Sequence, residues 1–182
     1  RMLLDMKSTI AAMRGLTYRN AEALDHAHHG ADDDARTKGE ERAALLTPLS
    51  KSWCTDMGVE LASIGVQIHG GMGFVEETGA AQHFRDARIA PIYEGTNGIQ
   101  AIDLAGRKLG MRQGGVVRDH LAEIRATIAS LEGVEGLESV RAQLSLAPDA
   151  LRPAPAYPLE VSSSNPSDLL ALAIAYLHIT AP

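Results

Sequence analysis

Apolar residues recur at helical spacing over most of the first 130 positions. Leu3, Met6, Ile10 and Met13 follow one another at steps of 3, 4 and 3, one face of a helix over about 2–27. A second stripe, Leu45, Leu49, Trp53, Met57, Leu61, Ile64 and Ile68, predicts another long helix. Thr47 before Pro48 offers an N-cap with proline at the first helical position, so that helix is expected to start near 48. The acidic stretch 30–41, with Asp32, Asp33 and Asp34, is then expected as a solvated connection between two antiparallel helices. The run Gly70-Gly71-Met72-Gly73 stops the second helix. Thr78 is placed to cap a short helix over 79–86, and Pro91 keeps Ala90 out of helix, so 89–95 reads as extended or turning chain. Thr96 is the expected N-cap of a helix to about Leu109, with Ile99, Ile102 and Leu109 facing inward.

The texture changes past residue 110. Gly110, Gly114 and Gly115 make a joint, and Val117, Leu121, Ile124, Ile128 and Leu131 predict a helix over 116–131. A short helix over 134–144 follows. Pro148, Pro153, Pro155 and Pro158 make 147–164 a loop, and Asn165-Pro166-Ser167-Asp168 opens a last helix through Leu177. The expected architecture is all-α: an antiparallel helical bundle over 1–110 and a helical extension over 111–182.

Composition sharpens this. Aromatic residues are 4% of the 182, so the core is built from aliphatic side chains, which suits packed helices better than a β-sandwich. The formal net charge of −6 argues against binding through phosphate contacts to nucleic acid. The lone Cys54 excludes an intrachain disulfide and a cysteine zinc cluster, and reads as a small buried apolar residue. His26, His28 and His29 precede three aspartates, but on an exposed connection the expectation is no metal site. No run of 18 apolar residues exists, so no membrane span is expected. The chain opens on Arg1 and runs directly into an amphipathic pattern, which suggests a fragment or a processed chain, with the cytoplasm as default compartment.

The chemistry gathers between residues 67 and 100. Gln67-Ile68-His69-Gly70-Gly71-Met72-Gly73 closes a helix with glycines that could let backbone approach a phosphate, although the spacing is not that of a Rossmann fingerprint. Arg85-Asp86-Ala87-Arg88 taken alone is a helix-end ion-pair cluster. Ile92-Tyr93-Glu94-Gly95-Thr96 sets a carboxylate on irregular backbone leading into a helix, where an apolar pocket would make it a usable general base.

In order and spacing, including the 27 positions from Gln67 to Glu94, this array closely resembles the C-terminal domain of the acyl-CoA dehydrogenase flavoenzymes. The resemblance covers about 1–110. It implies FAD as cofactor and an acyl-CoA thioester as substrate. Glu94 would be the catalytic base, removing the α-proton while a hydride leaves the β-carbon for FAD. Gly95 would lie against the substrate, and the Glu94 N–H would donate to the thioester oxygen. Thr96, Asn97 and Gly98 would contact flavin at a helix N-terminus, Gly98 through backbone. Gln67, Ile68, His69, Gly70 and Gly71 would touch the FAD of a neighbouring subunit, which implies a homodimer or homotetramer. Arg85 and Asp86 would fix the catalytic loop. An electron-transfer flavoprotein is the electron partner the resemblance implies.

The family's N-terminal helical domain, its β-domain and the helix opening its C-terminal bundle lie outside this chain, so the chain alone is expected to be inactive. The segments 30–42 and beyond 110 are long for the short fatty-acid enzymes and resemble the extended subgroup that includes 3-methylthiopropanoyl-CoA dehydrogenase. Two other classes stand beside this reading. A DNA-associated flavoprotein of the same fold would want a basic C-terminal portion, yet 145–182 holds one arginine and no lysine. A non-catalytic helical oligomerisation module would have no need of Glu94 within an intact array.

Overall fold

The computed structural model describes residues 1–150, with side chains described through residue 146. Helices α1 (Met2–His29) and α2 (Asp33–Ile68) are joined by a short connection and pack along each other. There follow α3 (Gly71–Phe74), a 3-10 turn (Glu76–Thr78), α4 (Ala80–Ala87), α5 (Asn97–Asp103), α6 (Gly115–Ser130) and α7 (Glu138–Ala150). No strand occurs among the described residues. The expected all-α class is therefore met. The chain forms two compact units, one over residues 1–101 and a second beginning at Ile102.

The α1–α2 connection corrects the reading of the acidic segment. Only 30–32 lie outside helix, and the aspartates open α2 instead of forming a loop. Asp32 Oδ1 accepts the Ala35 N–H at 2.8 Å, a true N-cap. Asp33 and Asp34 occupy the first turn, where carboxylates face the positive end of the helix dipole. Arg36 pairs with Asp33 and donates to the Gly30 carbonyl at 2.9 Å, and Lys38 reaches Asp34 at 2.6 Å. Three aspartates thus read equally as solvated loop or as helix start, and the basic residues three to four positions on decide for helix.

Pro48 is also corrected. It lies inside α2, not at its start, and is fully buried. A proline there removes one helical N–H and costs about 3 kcal/mol. Its burial, together with the Leu45, Leu46 and Leu49 core, offsets that cost, and the Thr47 hydroxyl donates back to the Ala43 carbonyl at 2.7 Å. The aliphatic stripe of α2 otherwise falls as predicted, with Leu45, Leu49 and Leu61 buried and Trp53, Met57, Ile64 and Ile68 half-buried. Cys54 is half-buried too, its Sγ 3.9 Å from the Met13 carbonyl.

Three smaller expectations shift. Gly79, at φ 76°, takes the position before α4, while the Thr78 hydroxyl donates to the Met72 carbonyl at 2.7 Å instead of capping. The helix after Thr96 does not run evenly to Leu109. A wide π turn over Leu104–Lys108, closed by the Leu109 N–H on the Leu104 carbonyl at 3.0 Å, advances the helical phase by one residue. Ala101, Leu104 and Ala105 are buried, the π turn brings Leu109 into burial with them, and Ile99 and Ile102 are exposed. Finally, α7 continues to Ala150, beyond the expected loop start at 147. The remainder of that loop and the last helix lie outside the described residues. In the second unit, α6 matches its predicted span within one residue and buries Val116, Val117 and Leu121.

Candidate functional site

Glu94 stands at the apex of a tight turn. After α4 the backbone winds through 88–95 in successive turns, with the Ile92 and Tyr93 N–H groups both donating to the Ile89 carbonyl, at 2.9 and 3.1 Å. Glu94 itself is in the left-handed region at φ 52°, and Gly95 follows at φ 82°. A left-handed conformation in a non-glycine residue costs roughly 1–2 kcal/mol, a strain that persists only where the surroundings enforce it. The enforcement is visible. The Asn97 N–H closes the loop on the Pro91 carbonyl at 3.1 Å, and Thr96 Oγ1 accepts the Ile99 N–H at 3.2 Å as the expected N-cap of α5.

The Asn97 side chain then fastens this loop to α2. Its Nδ2 donates to Asp56 Oδ1 at 2.7 Å and to the Ser52 carbonyl at 3.2 Å, and lies 3.0 Å from Thr55 Oγ1. Its Oδ1 accepts from Lys51 Nζ at 2.8 Å. The amide orientation is fixed by charge: the oxygen faces an ammonium and the nitrogen faces a carboxylate. Burial holds the Lys51 ammonium below the usual lysine pKa, opposed first by Asp56 and then by Glu94. Lys51 and Asp56 had no place in the sequence reading. Their signal was a lysine followed at four and five positions by Thr55 and Asp56, polar groups within the apolar stretch of α2.

Glu94, Gly95 and Thr96 are exposed, and Gly98 is half-buried. Around them Ile89, Ile92, Tyr93 and Ile99 are each about half exposed, 49–55% of their surface. An added Cβ on Gly95 would meet Gln100 Nε2 at 3.0 Å. Gln67, His69, Gly70 and Gly71 form a second exposed ridge at the end of α2, with Ile68 half-buried beneath it. His69 Nδ1 lies 2.8 Å from the Gly65 carbonyl. A carbonyl only accepts, so Nδ1 is the donor of this bond, and Nε2 is left for other contacts. Gly70 has φ 62°, open to glycine.

Arg85 and Asp86 make their side-chain bonds away from the Glu94 loop. Arg85 Nη2 reaches Glu76 Oε2 and Gln82 Oε1, both at 3.0 Å, and Asp86 Oδ1 accepts from Gln82 Nε2 at 2.7 Å. Arg85 ties α4 to the turn before it and Asp86 bonds within α4, and the side-chain anchor of the loop is Asn97. Beside Arg85 a pocket of about 600 Å3 is lined by Val66, Phe74, Val75, Ala81 and Phe84. Among the described residues no three His, Cys, Asp or Glu side chains gather as a metal site, and no helix is long and apolar enough to cross a membrane.

The chain is 43% identical over 182 residues to 3-methylmercaptopropionyl-CoA dehydrogenase of Ruegeria pomeroyi, an alignment covering 99% of this chain and 31% of that protein. It is 38% identical over 130 residues to a butyryl-CoA dehydrogenase of Syntrophomonas wolfei, covering 71% of this chain and 21% of that one. The first alignment takes in the segment beyond 110, as the resemblance to the extended subgroup implied. The fold matches that of Caenorhabditis elegans ACDH-11, crystallised in complex with C11-CoA, with a TM-score of 0.68 at 22% identity over 99% of this chain and 30% of that one. The chain thus spans about a third or less of the length of these relatives. Residues 1–109 match the family described as acyl-CoA dehydrogenase, C-terminal domain, and the chain belongs to that family of FAD flavoproteins.

Proposed function

We propose that this chain is the C-terminal part of an FAD-dependent acyl-CoA dehydrogenase in which Glu94 is the catalytic base. The observation that carries the reading is the strained Glu94–Gly95 turn, φ 52° and 82°, held by Asn97 at the edge of an exposed apolar cluster. Glu94 takes the α-proton of the bound thioester onto its carboxylate. The α C–H electron pair becomes the new C=C bond, and the hydride from the β-carbon leaves with two electrons. FAD, when bound, supplies the acceptor for that hydride, and the product is a trans-2-enoyl-CoA.

The α-carbon is a weak acid, so charge developing on the thioester oxygen needs a preorganised donor. The Glu94 N–H serves this role in the reading, because the turn is closed by the N–H groups of Ile92, Tyr93 and Asn97 instead. Gly95 leaves room for the thioester, and Ile89, Ile92, Tyr93 and Ile99 exclude water once the remaining domains cover them. Coverage matters chemically: desolvation makes a carboxylate a stronger base toward carbon than it is in water.

The residues present fit FAD in two places. The ridge Gln67, His69, Gly70 and Gly71 is exposed over a half-buried Ile68, offers amide and imidazole groups, and turns through a positive φ at Gly70; it would meet the flavin of a neighbouring subunit. Thr96 and Gly98 would meet the flavin of the same chain, while the Asn97 side chain is engaged on α2 and leaves its backbone for that contact. A shared flavin site makes the active species a homodimer or homotetramer. Met2, Leu3, Leu4 and Tyr18, exposed on α1, suit the further helix and subunit contacts such an assembly supplies. The substrate class favoured by the similarity along this chain, which covers 31% of that relative, is a short thioether acyl-CoA such as the 3-methylmercaptopropionyl thioester. An electron-transfer flavoprotein is the proposed electron partner, and the cytoplasm the proposed compartment.

The test is an anaerobic titration of the flavin-loaded whole protein with 3-methylmercaptopropionyl-CoA, butyryl-CoA and a long-chain acyl-CoA. The reading expects flavin absorbance to bleach most fully with the first. Bound flavin that none of the thioesters bleaches would overturn it.

A further inference from the structure

The polar knot between α2 and the Glu94 loop is more than packing glue. Lys51 sits on α2, 43 positions before Glu94 in sequence, yet its ammonium lies 2.8 Å from Asn97 Oδ1. Asn97 follows Glu94 by three residues and closes the same loop through its own N–H on Pro91. Every polar atom of the Asn97 side chain is engaged on α2: Oδ1 by Lys51, Nδ2 by Asp56, Thr55 and the Ser52 carbonyl. The backbone closure that spans Glu94 and the side-chain anchor to α2 both pass through Asn97.

We propose that Asn97 and Lys51 are positioning residues for Glu94, with Lys51 holding the Asn97 amide in the one orientation that keeps the Glu94–Gly95 turn in its left-handed geometry. The physical need is specific. Nothing intrinsic to Glu94 favours φ 52°, so the turn relaxes if its anchor loosens. Asn97 can turn its amide over. Removing the ammonium would leave Oδ1 without its charged donor, with only Thr55 Oγ1 at 3.2 Å beside it, and the orientation would then rest on the Asp56 and Ser52 acceptors alone. Lys51 is half-buried, and Asp56 first and Glu94 second favour its charged form. Displacement of a reacting group by about 1 Å can cost on the order of 10²-fold in rate.

This inference rests on the reading of Glu94 as the base. The variants are Lys51→Met, which keeps the aliphatic stem and loses the charge and donor, Lys51→Arg, which restores both, and Asn97→Ala, each in the flavin-loaded whole protein. Three quantities are read: FAD content, the rate of flavin reduction at saturating acyl-CoA, and the thioester concentration at half-maximal rate. Lys51→Met should keep FAD and half-saturation within about threefold of the parent while the reduction rate drops roughly 10- to 100-fold, and Asn97→Ala should lower the rate at least as far per bound FAD. Lys51→Arg should recover most of the rate.

An unchanged rate in Lys51→Met overturns the proposal. So does a rate loss that merely tracks lost FAD, or one that Lys51→Arg leaves unrepaired while its FAD content is normal. Glu94→Gln run alongside separates the two claims. If Glu94→Gln still reduces flavin at the parent rate, the base assignment itself fails, whatever Lys51→Met does.

Discussion

Gly39 of α2 lies directly on the backbone of α1 at Ala27: a Cβ added to Gly39 would stand 2.4 Å from the Ala27 nitrogen and 2.9 Å from the Ala23 carbonyl oxygen. Gly39 and Ala23 are both buried, so the two long helices are in close backbone contact here. Backbone cannot retreat as a flexible side chain can. Gly39→Ala should therefore push the helices apart and lower stability by about 1–3 kcal/mol, despite alanine's better helix propensity. Urea denaturation of parent and variant checks this; a variant as stable as the parent would mean that the helices are not in such contact.

Gly95→Ala combines two penalties. The φ of 82° disfavours any Cβ, and Gln100 Nε2 stands 3.0 Å from where it would be. The glutamine end can move, so strain at the backbone dominates, roughly 1–2 kcal/mol. Because that strain sits beside Glu94, the flavin reduction rate should drop more steeply than stability does. A Gly95→Ala protein with parental rate in stopped-flow reduction would show that the turn geometry is not needed.

Burial pushes the Cys54 thiol above its ordinary pKa. Only the thiolate is strongly nucleophilic, so alkylation near pH 8 should be slower than for an exposed cysteine and should accelerate as pH rises. The linkage has the same sign. With the folded pKa raised, the thiol's contribution to stability is fully present below the unfolded-state pKa and is lost as pH rises through the folded value. Mass-spectrometric timing of iodoacetamide labelling checks the first point; labelling at the rate of free cysteine would contradict it.

Removing the Asp32 cap tests the corrected start of α2. Asp32→Ala loses the bond to the Ala35 N–H and should cost about 1 kcal/mol, whereas a solvated loop aspartate would cost almost nothing. The thermal midpoint distinguishes the two.

The long amphipathic stripes were legible because period alone defines them: α1 and α6 fall within two residues of their predicted spans. Local signals with two meanings were not. Thr47-Pro48 is a helix start in isolation and a buried interior site here, because apolar contacts outweigh a lost N–H. Asp32–Asp34 reads as loop until Arg36 and Lys38 are given partners. The inward face of α5 was misread at Ile99 and Ile102, which are exposed while Ala101 and Leu104 are buried, and the even period expected through to Leu109 is broken by the π turn at 104–108, which no residue type announces. At the site, motif spacing picked out Glu94, Gly95 and the ridge at 67–71. The link from Lys51 to Asn97 escaped because 46 positions separate them, and only the fold brings an isolated lysine to an asparagine.

The central claim is that Glu94 is the base, and Glu94→Gln in the flavin-loaded whole protein tests it most directly. Glutamine keeps the shape and the backbone but cannot accept the proton. The account predicts normal FAD content and thioester binding, with the anaerobic flavin reduction rate lowered by about 10²–10⁴-fold. Reduction within about tenfold of the parent would contradict it and direct the search to another carboxylate.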